Sequence, residues 1–177
     1  DKKKNNMDLE TFTETMDWFV SQNKGRDLIV QYFGGEPLLR MDLIKKGHEM
    51  LKKVKEEGAI NTFTEEIVTN GTIIDKEMAS YFAKNNFTIN FSIDGWKEIN
   101  DKNRVYPNGN GSYDMLMNGV NNFKEAGGSL SAIMTPTNDN IDKFYEIVKF
   151  LVEEIGFNEI SVNTPQPTIE GWDIDGN

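Results

Sequence analysis

Apolar residues along the chain recur in two alternating periods. Met7, Leu9, Phe12, Met16, Phe19 and Val20 fall at helical spacing and stop near Asn23-Lys24-Gly25, which predicts an opening helix. Leu28 to Phe33 then reads as a strand, and Asp42 is placed to cap a helix running to about Glu57 and ended by Gly58. A strand from Phe63 to Thr69 stops at Asn70-Gly71, and Asp75 opens a helix with Met78, Tyr81 and Phe82 on one face. Thr88 to Ile93 is the next strand, turning at Asp94-Gly95. Residues 96 to 111, rich in Asn, Asp, Lys and Gly, read as a loop long enough to be functional. Ser112 caps a helix bearing Met115, Leu116, Val120 and Phe123, and Leu130 to Thr135 is a strand. Asn140 or Asp142 opens a helix closed by Gly156, and a strand from Glu159 to Asn163 is stopped by Pro165 and Pro167.

Strands alternating with helices define an α/β fold with parallel strands, open or curled into a barrel. The pattern starts on a helix, so the strand that would normally precede it is expected to be missing. The 177 residues are expected to form one domain, 1–177, with a loose polar tail at 168–177. In such a sheet the strand tips share one rim, where ligands bind. Those tips are Gly34-Gly35-Glu36-Pro37, Thr69-Asn70-Gly71-Thr72, Ser92-Ile93-Asp94-Gly95, Thr135-Pro136-Thr137-Asn138 and Asn163-Thr164-Pro165-Gln166. Asn-Gly and Asp-Gly pairs are also ordinary turn formers, and Glu36 is placed to cap a following helix. Alternation sets Ile89, Phe91 and Ile93 against Thr88, Asn90 and Ser92, and Ile160 and Val162 against Ser161 and Asn163. One face of these strands is therefore polar, as a wet cavity for a polar ligand requires.

Composition narrows the partners. Lys and Arg number 19 against 29 Asp and Glu, a formal charge of −10, which disfavours nucleic acid and anionic lipid. No apolar run approaches the ~20 residues of a membrane span, and no signal core follows the N-terminus, so a cytoplasmic protein is expected. There is no cysteine and one histidine, His48, which lies in a charged helix and is expected to face solvent. That inventory builds neither a zinc nor an iron-sulfur site within the chain. No P-loop or dinucleotide glycine fingerprint is present.

Taken in order, Gly34-Gly-Glu-Pro37, Thr69-Asn-Gly-Thr72 and Ser92-Ile-Asp-Gly95 resemble the core of radical S-adenosylmethionine (radical SAM) enzymes. The stretch Ile93 to Arg104, followed by Gly109-Asn-Gly-Ser-Tyr113, resembles anaerobic sulfatase-maturating enzymes and related peptide maturases with a cysteine-rich SPASM domain. The resemblance covers about residues 8 to 165. It implies a partial (β/α)6 TIM-like barrel of which this chain supplies strands two to six. It also implies reductive cleavage of S-adenosylmethionine at a [4Fe-4S] cluster, and a peptide or protein substrate. By motif match, Gly34, Gly35 and Glu36, with Pro37 closing the loop, would receive the methionine amino group through backbone acceptors. Ser92 and Arg104 would hold its carboxylate. Thr69, Asn70 and Asp94 would line the cavity, and Thr135, Asn138 and Asn163 would face ribose and adenine.

The departure from that family is the C-x3-C-x2-C loop, absent here together with the strand before it. The expectation is an interior fragment of a longer maturase that keeps most of the cofactor wall and cannot hold the cluster. The unpaired edge of the first strand present would invite dimerisation. Two other readings stay open: a cluster-free barrel binding a peptide or nucleoside, and a hydrolase or isomerase using Glu36 and Asp94 as acid and base.

Overall fold

The computed structural model describes residues 7–163; Lys2 to Lys4, Pro165, Pro167 and the tail 168–177 lie outside the described residues. Five parallel strands follow one another across a single sheet: β1 (Leu28–Tyr32), β2 (Phe63–Thr69), β3 (Thr88–Ser92), β4 (Leu130–Met134) and β5 (Glu159–Val162). Register places Leu28 beside Phe63, Ile67 beside Ile89, Ile89 beside Leu130 and Ala132 beside Ile160. Side chains alternate across a strand, so this register gathers the apolar residues on one face.

Helices α1 (Leu9–Gln22), α2 (Met41–Glu56), α3 (Lys76–Lys84), α4 (Lys97–Asn103), α5 (Tyr113–Glu125) and α6 (Phe144–Phe150) alternate with the strands. Phe82, Phe91, Phe123 and Phe157 are fully buried in the core with Ile67, Ile89 and Ile93. The opposite face carries the polar residues that alternation predicted. Sequential strand order with one helix-covered face and one polar face is the wall of a partial α/β barrel.

Local chemistry explains the boundaries. Asp8 and Asp75 cap α1 and α3 by accepting from the N–H of Thr11 and Met78, each at 2.8 Å. α6 continues into a π turn, Leu151–Ile155, that ends on left-handed Gly156 at φ 94°.

Several expectations are corrected. Asp42 does not cap α2: it lies in the first turn and takes a forked bond from Arg40 at 2.8 and 2.7 Å, which holds its carboxyl below the usual range. The turn before it, Pro37–Arg40, is the one capped by Glu36. Ser112 heads α5, yet its hydroxyl donates to the Arg104 carbonyl at 2.8 Å instead of capping the helix. The expected loop 96–111 contains α4 and a bridge between Val105 and Gly111.

His48 is not solvent-facing. It is buried, with Nδ1 2.5 Å from Glu65 Oε2, and its ring packs against Phe63, Tyr81 and Phe87. The Tyr32 hydroxyl donates to the other Glu65 oxygen at 2.8 Å. Burial pushes the Glu65 carboxyl up, while hydrogen bonds from His48 and Tyr32 pull it back; the Tyr32 phenol is raised by burial and by Glu65.

Candidate functional site

The rim is held together by its own side chains. Glu36 leaves the tip of β1 and reaches the tip of β2. Its Oε1 accepts from the Thr69 hydroxyl at 2.7 Å and from Leu38 N–H at 3.2 Å, and its Oε2 accepts from Asn70 N–H at 3.0 Å. Thr69 Oγ1 in turn accepts from Gly71 N–H, and Asn70 Oδ1 accepts from both the N–H and the hydroxyl of Thr72. Glu36, Thr69 and Asn70 are thus brought together as one buckle between two strand tips.

α5 locks this buckle from below. A Cβ at Gly119 would lie 2.1 Å from the Gly71 carbonyl oxygen, and Gly71 itself sits at φ +71° with Leu116 and Phe91 against it. Both glycines are dictated by that close approach.

Asp94 and Arg104 form the second cluster. Asp94 is 3% exposed and accepts Arg104 Nε and Nη2 at 2.6 and 2.9 Å, with Thr135 N–H at 3.0 Å as a third donor. Two of the five guanidinium N–H groups are thereby used, leaving the remainder for a further acceptor. Asn100, fully buried, accepts from Asp94 N–H at 3.3 Å, and Asn140 ties Thr137 N–H to the Thr135 carbonyl. These two asparagines shape the tips of β3 and β4.

Gly34 and Gly35 differ from Gly71. Neither has positive φ, and a Cβ at either meets nothing within 4 Å. They line a cavity of about 430 Å³ with Tyr32, Phe33, Glu36 and Arg40. Gln31 and Phe33 also border a second cavity of about 440 Å³ on the polar face of the sheet, where Asn163 lies. Ser92 is half-buried on that same strand face, and Asn138 is exposed beyond β4.

The chain belongs to the radical SAM superfamily, whose family model matches residues 1–151. It is 37% identical over 120 residues to a cysteine-type anaerobic sulfatase-maturating enzyme of Clostridium novyi (strain NT), covering 66% of this chain and 32% of that protein. A serine-type anaerobic sulfatase-maturating enzyme of Bacteroides thetaiotaomicron is 28% identical over 148 residues, 83% of this chain and 35% of that protein. The chain therefore spans about a third of the length of these two relatives. Among solved structures, native anSMEcpe with bound AdoMet and Kp18Cys peptide superposes with a TM-score of 0.84 at 22% identity, over 95% of this chain and 46% of that one. This last likeness is one of fold.

Residues that sequence reasoning passed over are Asn100, Asn140, Glu66 and Glu159. The two glutamates lie on the polar strand face with Thr88, Asn90 and Ser161, and continuing the alternation count through β2 and β5 would have found them.

Proposed function

We propose that this chain is the S-adenosylmethionine-binding wall of a radical SAM enzyme that modifies a peptide or protein. One observation carries the reading: Gly34 and Gly35 stand at a strand tip where the fold makes no demand for glycine, facing open space. A backbone kept bare for no internal reason is suited to close approach by a ligand. Its carbonyls would accept from the methionine ammonium, and Glu36, engaged by Thr69 and Asn70, fixes the loop that presents them. The free N–H groups of Arg104 and the Ser92 hydroxyl would take the carboxylate. Thr135, Asn138 and Asn163 are assigned to the ribose and adenine.

When bound at a [4Fe-4S] cluster, this cofactor supplies a deoxyadenosyl radical that abstracts a substrate hydrogen. The cluster does not fit the residues present: there is no cysteine, and no three His, Cys, Asp or Glu gather among the described residues. Its thiolates would come from outside these 177 residues, which supports reading the chain as part of a longer maturase. The names of the sulfatase-maturating relatives, and the peptide in the anSMEcpe structure, support a peptide substrate. No described helix is long and apolar enough to cross a membrane, and with the net charge of −10 we read the protein as cytoplasmic. A second copy is proposed to pair with the open edge of β1.

The hydrolase reading loses support from geometry, because the Glu36 and Asp94 carboxylates are already engaged by three donors each. Calorimetric titration of the chain with S-adenosylmethionine tests the proposal. Weak binding is expected, reduced at least ~10-fold in Gly35→Val with the unfolding midpoint unchanged, since the new side chain meets no protein atom. Unaltered affinity in that variant would remove Gly34-Gly35 as the seat.

A further inference from the structure

The cavity on the polar strand face is chemically distinct from the rim above it. Its lining includes two carboxylates, Glu66 on β2 and Glu159 on β5, and no Lys or Arg. Each carboxylate has a neutral partner: Glu66 Oε2 accepts from Gln31 Nε2 at 3.0 Å and Glu159 Oε2 from the Ser131 hydroxyl at 3.1 Å. Neither is in an ion pair among the described residues. Between them, on β3, stands Asn90. Its register neighbours are Val68 on β2 and Ser131 on β4, and Ser131 is in turn beside Glu159. Asn90 is 8% exposed, lines the cavity, and its amide has no hydrogen-bond partner among the described residues.

A side-chain amide that deeply buried ordinarily finds a partner, because leaving it unmade costs about 1–3 kcal/mol. Here the only open side is the cavity. Strands lie about 4.8 Å apart, so Asn90 is one strand from the Glu66 strand and two from Glu159. A group carrying positive charge and several N–H donors would answer both carboxylates and the Asn90 carbonyl oxygen at once. A cavity of about 440 Å³ is of the size that takes such a side chain with room to spare.

We propose that this cavity binds a basic side chain, lysine or arginine, of the peptide substrate. The inference rests on the peptide-modifying reading above and adds the substrate class. Gln31 and Phe33 border both cavities, so a side chain held here lies next to the Gly34-Gly35 loop. Thr88 and Ser161 supply further hydroxyls along the same wall.

The test is titration of the 177-residue chain with N-acetyl-lysine methylamide and its uncharged counterpart N-acetyl-norleucine methylamide, followed by amide chemical shifts. The lysine probe is expected to bind in the millimolar range at low salt, at least ~10-fold tighter than norleucine, and to move the Asn90 signals. Glu66→Gln and Glu159→Gln, which keep shape and remove charge, should each weaken it ~5-fold or more while the unfolding midpoint holds. Equal affinity for the two probes, or indifference to both substitutions, overturns the proposal. S-adenosylmethionine is titrated into the same samples and should be unaffected by either Gln variant. If the variants weaken it and spare the lysine probe, the carboxylates serve the cofactor's sulfonium and the proposal falls. If the chain binds the lysine probe and no S-adenosylmethionine, the cavity stands and the cofactor reading fails.

Discussion

Arg104 shows how one residue can carry two assignments. Its motif position marks it for a cofactor carboxylate, yet the fold already uses half of its fork on Asp94, a carboxylate buried with only Arg104 and two backbone-level contacts to satisfy it. Removing one partner of a buried pair leaves an uncompensated charge, which costs about 3 kcal/mol or more. Arg104→Ala is therefore expected to destabilise the chain by about 3 kcal/mol in urea unfolding. The double variant Arg104→Ala with Asp94→Asn should recover more than half of that loss, because no charge is then stranded. If Arg104→Ala unfolds at the parent midpoint, the pair is a surface contact in solution and the guanidinium is wholly free for a ligand. The identity of this residue was legible in the sequence; its prior engagement was not, since it depends on Asp94 and Arg104 converging from either end of α4.

At the scale of elements, nearly every strand and helix could be read from periodicity, and the misreadings share a cause. Ends slipped by a residue because the last strand position points outward, as Phe33 does. The expected loop hid α4 because a seven-residue helix holds too few apolar positions, Ile99 chief among them, to show a period. His48 was misplaced because the lysines around it made its whole helix look polar, whereas α2 turns His48 inward to a glutamate on β2. That contact yields a pH prediction. Burial holds the Glu65 carboxyl above its ordinary 4.5, so between that value and the folded one the native state keeps a proton the unfolded chain has released. The stability this contributes is full below pH 4.5 and is lost as pH rises through the folded value. In urea unfolding from pH 4 to 8, the stability of the parent relative to Glu65→Gln should fall with rising pH, His48 being common to both. A difference that is flat, or that grows with pH, would mean that the hydrogen bonds from His48 and Tyr32 outweigh burial.

For the molecule as a whole, the sheet has one edge at β1 with no strand beside it among the described residues. Ile29 and Phe33 on that strand are 67% and 72% exposed, an unusual state for large apolar side chains next to unsatisfied backbone donors and acceptors. The other edge, β5, carries Glu159, whose charge discourages pairing in the way β1 lacks. Two chains meeting edge to edge through β1 would satisfy both ladders and cover both apolar pairs. Sedimentation of the 177-residue chain should accordingly show a concentration-dependent dimer, and Ile29→Lys should return it to monomer without lowering the unfolding midpoint, since Ile29 contributes nothing to the core. The same charge placed at Val162, which is 47% exposed on β5, should leave the dimer intact. Loss of the dimer from the β5 substitution and not from Ile29→Lys would move the interface to the opposite edge; a monomer at all concentrations would mean that the β1 edge is protected by some other contact, and a strand supplied from outside these residues would then be the partner to seek.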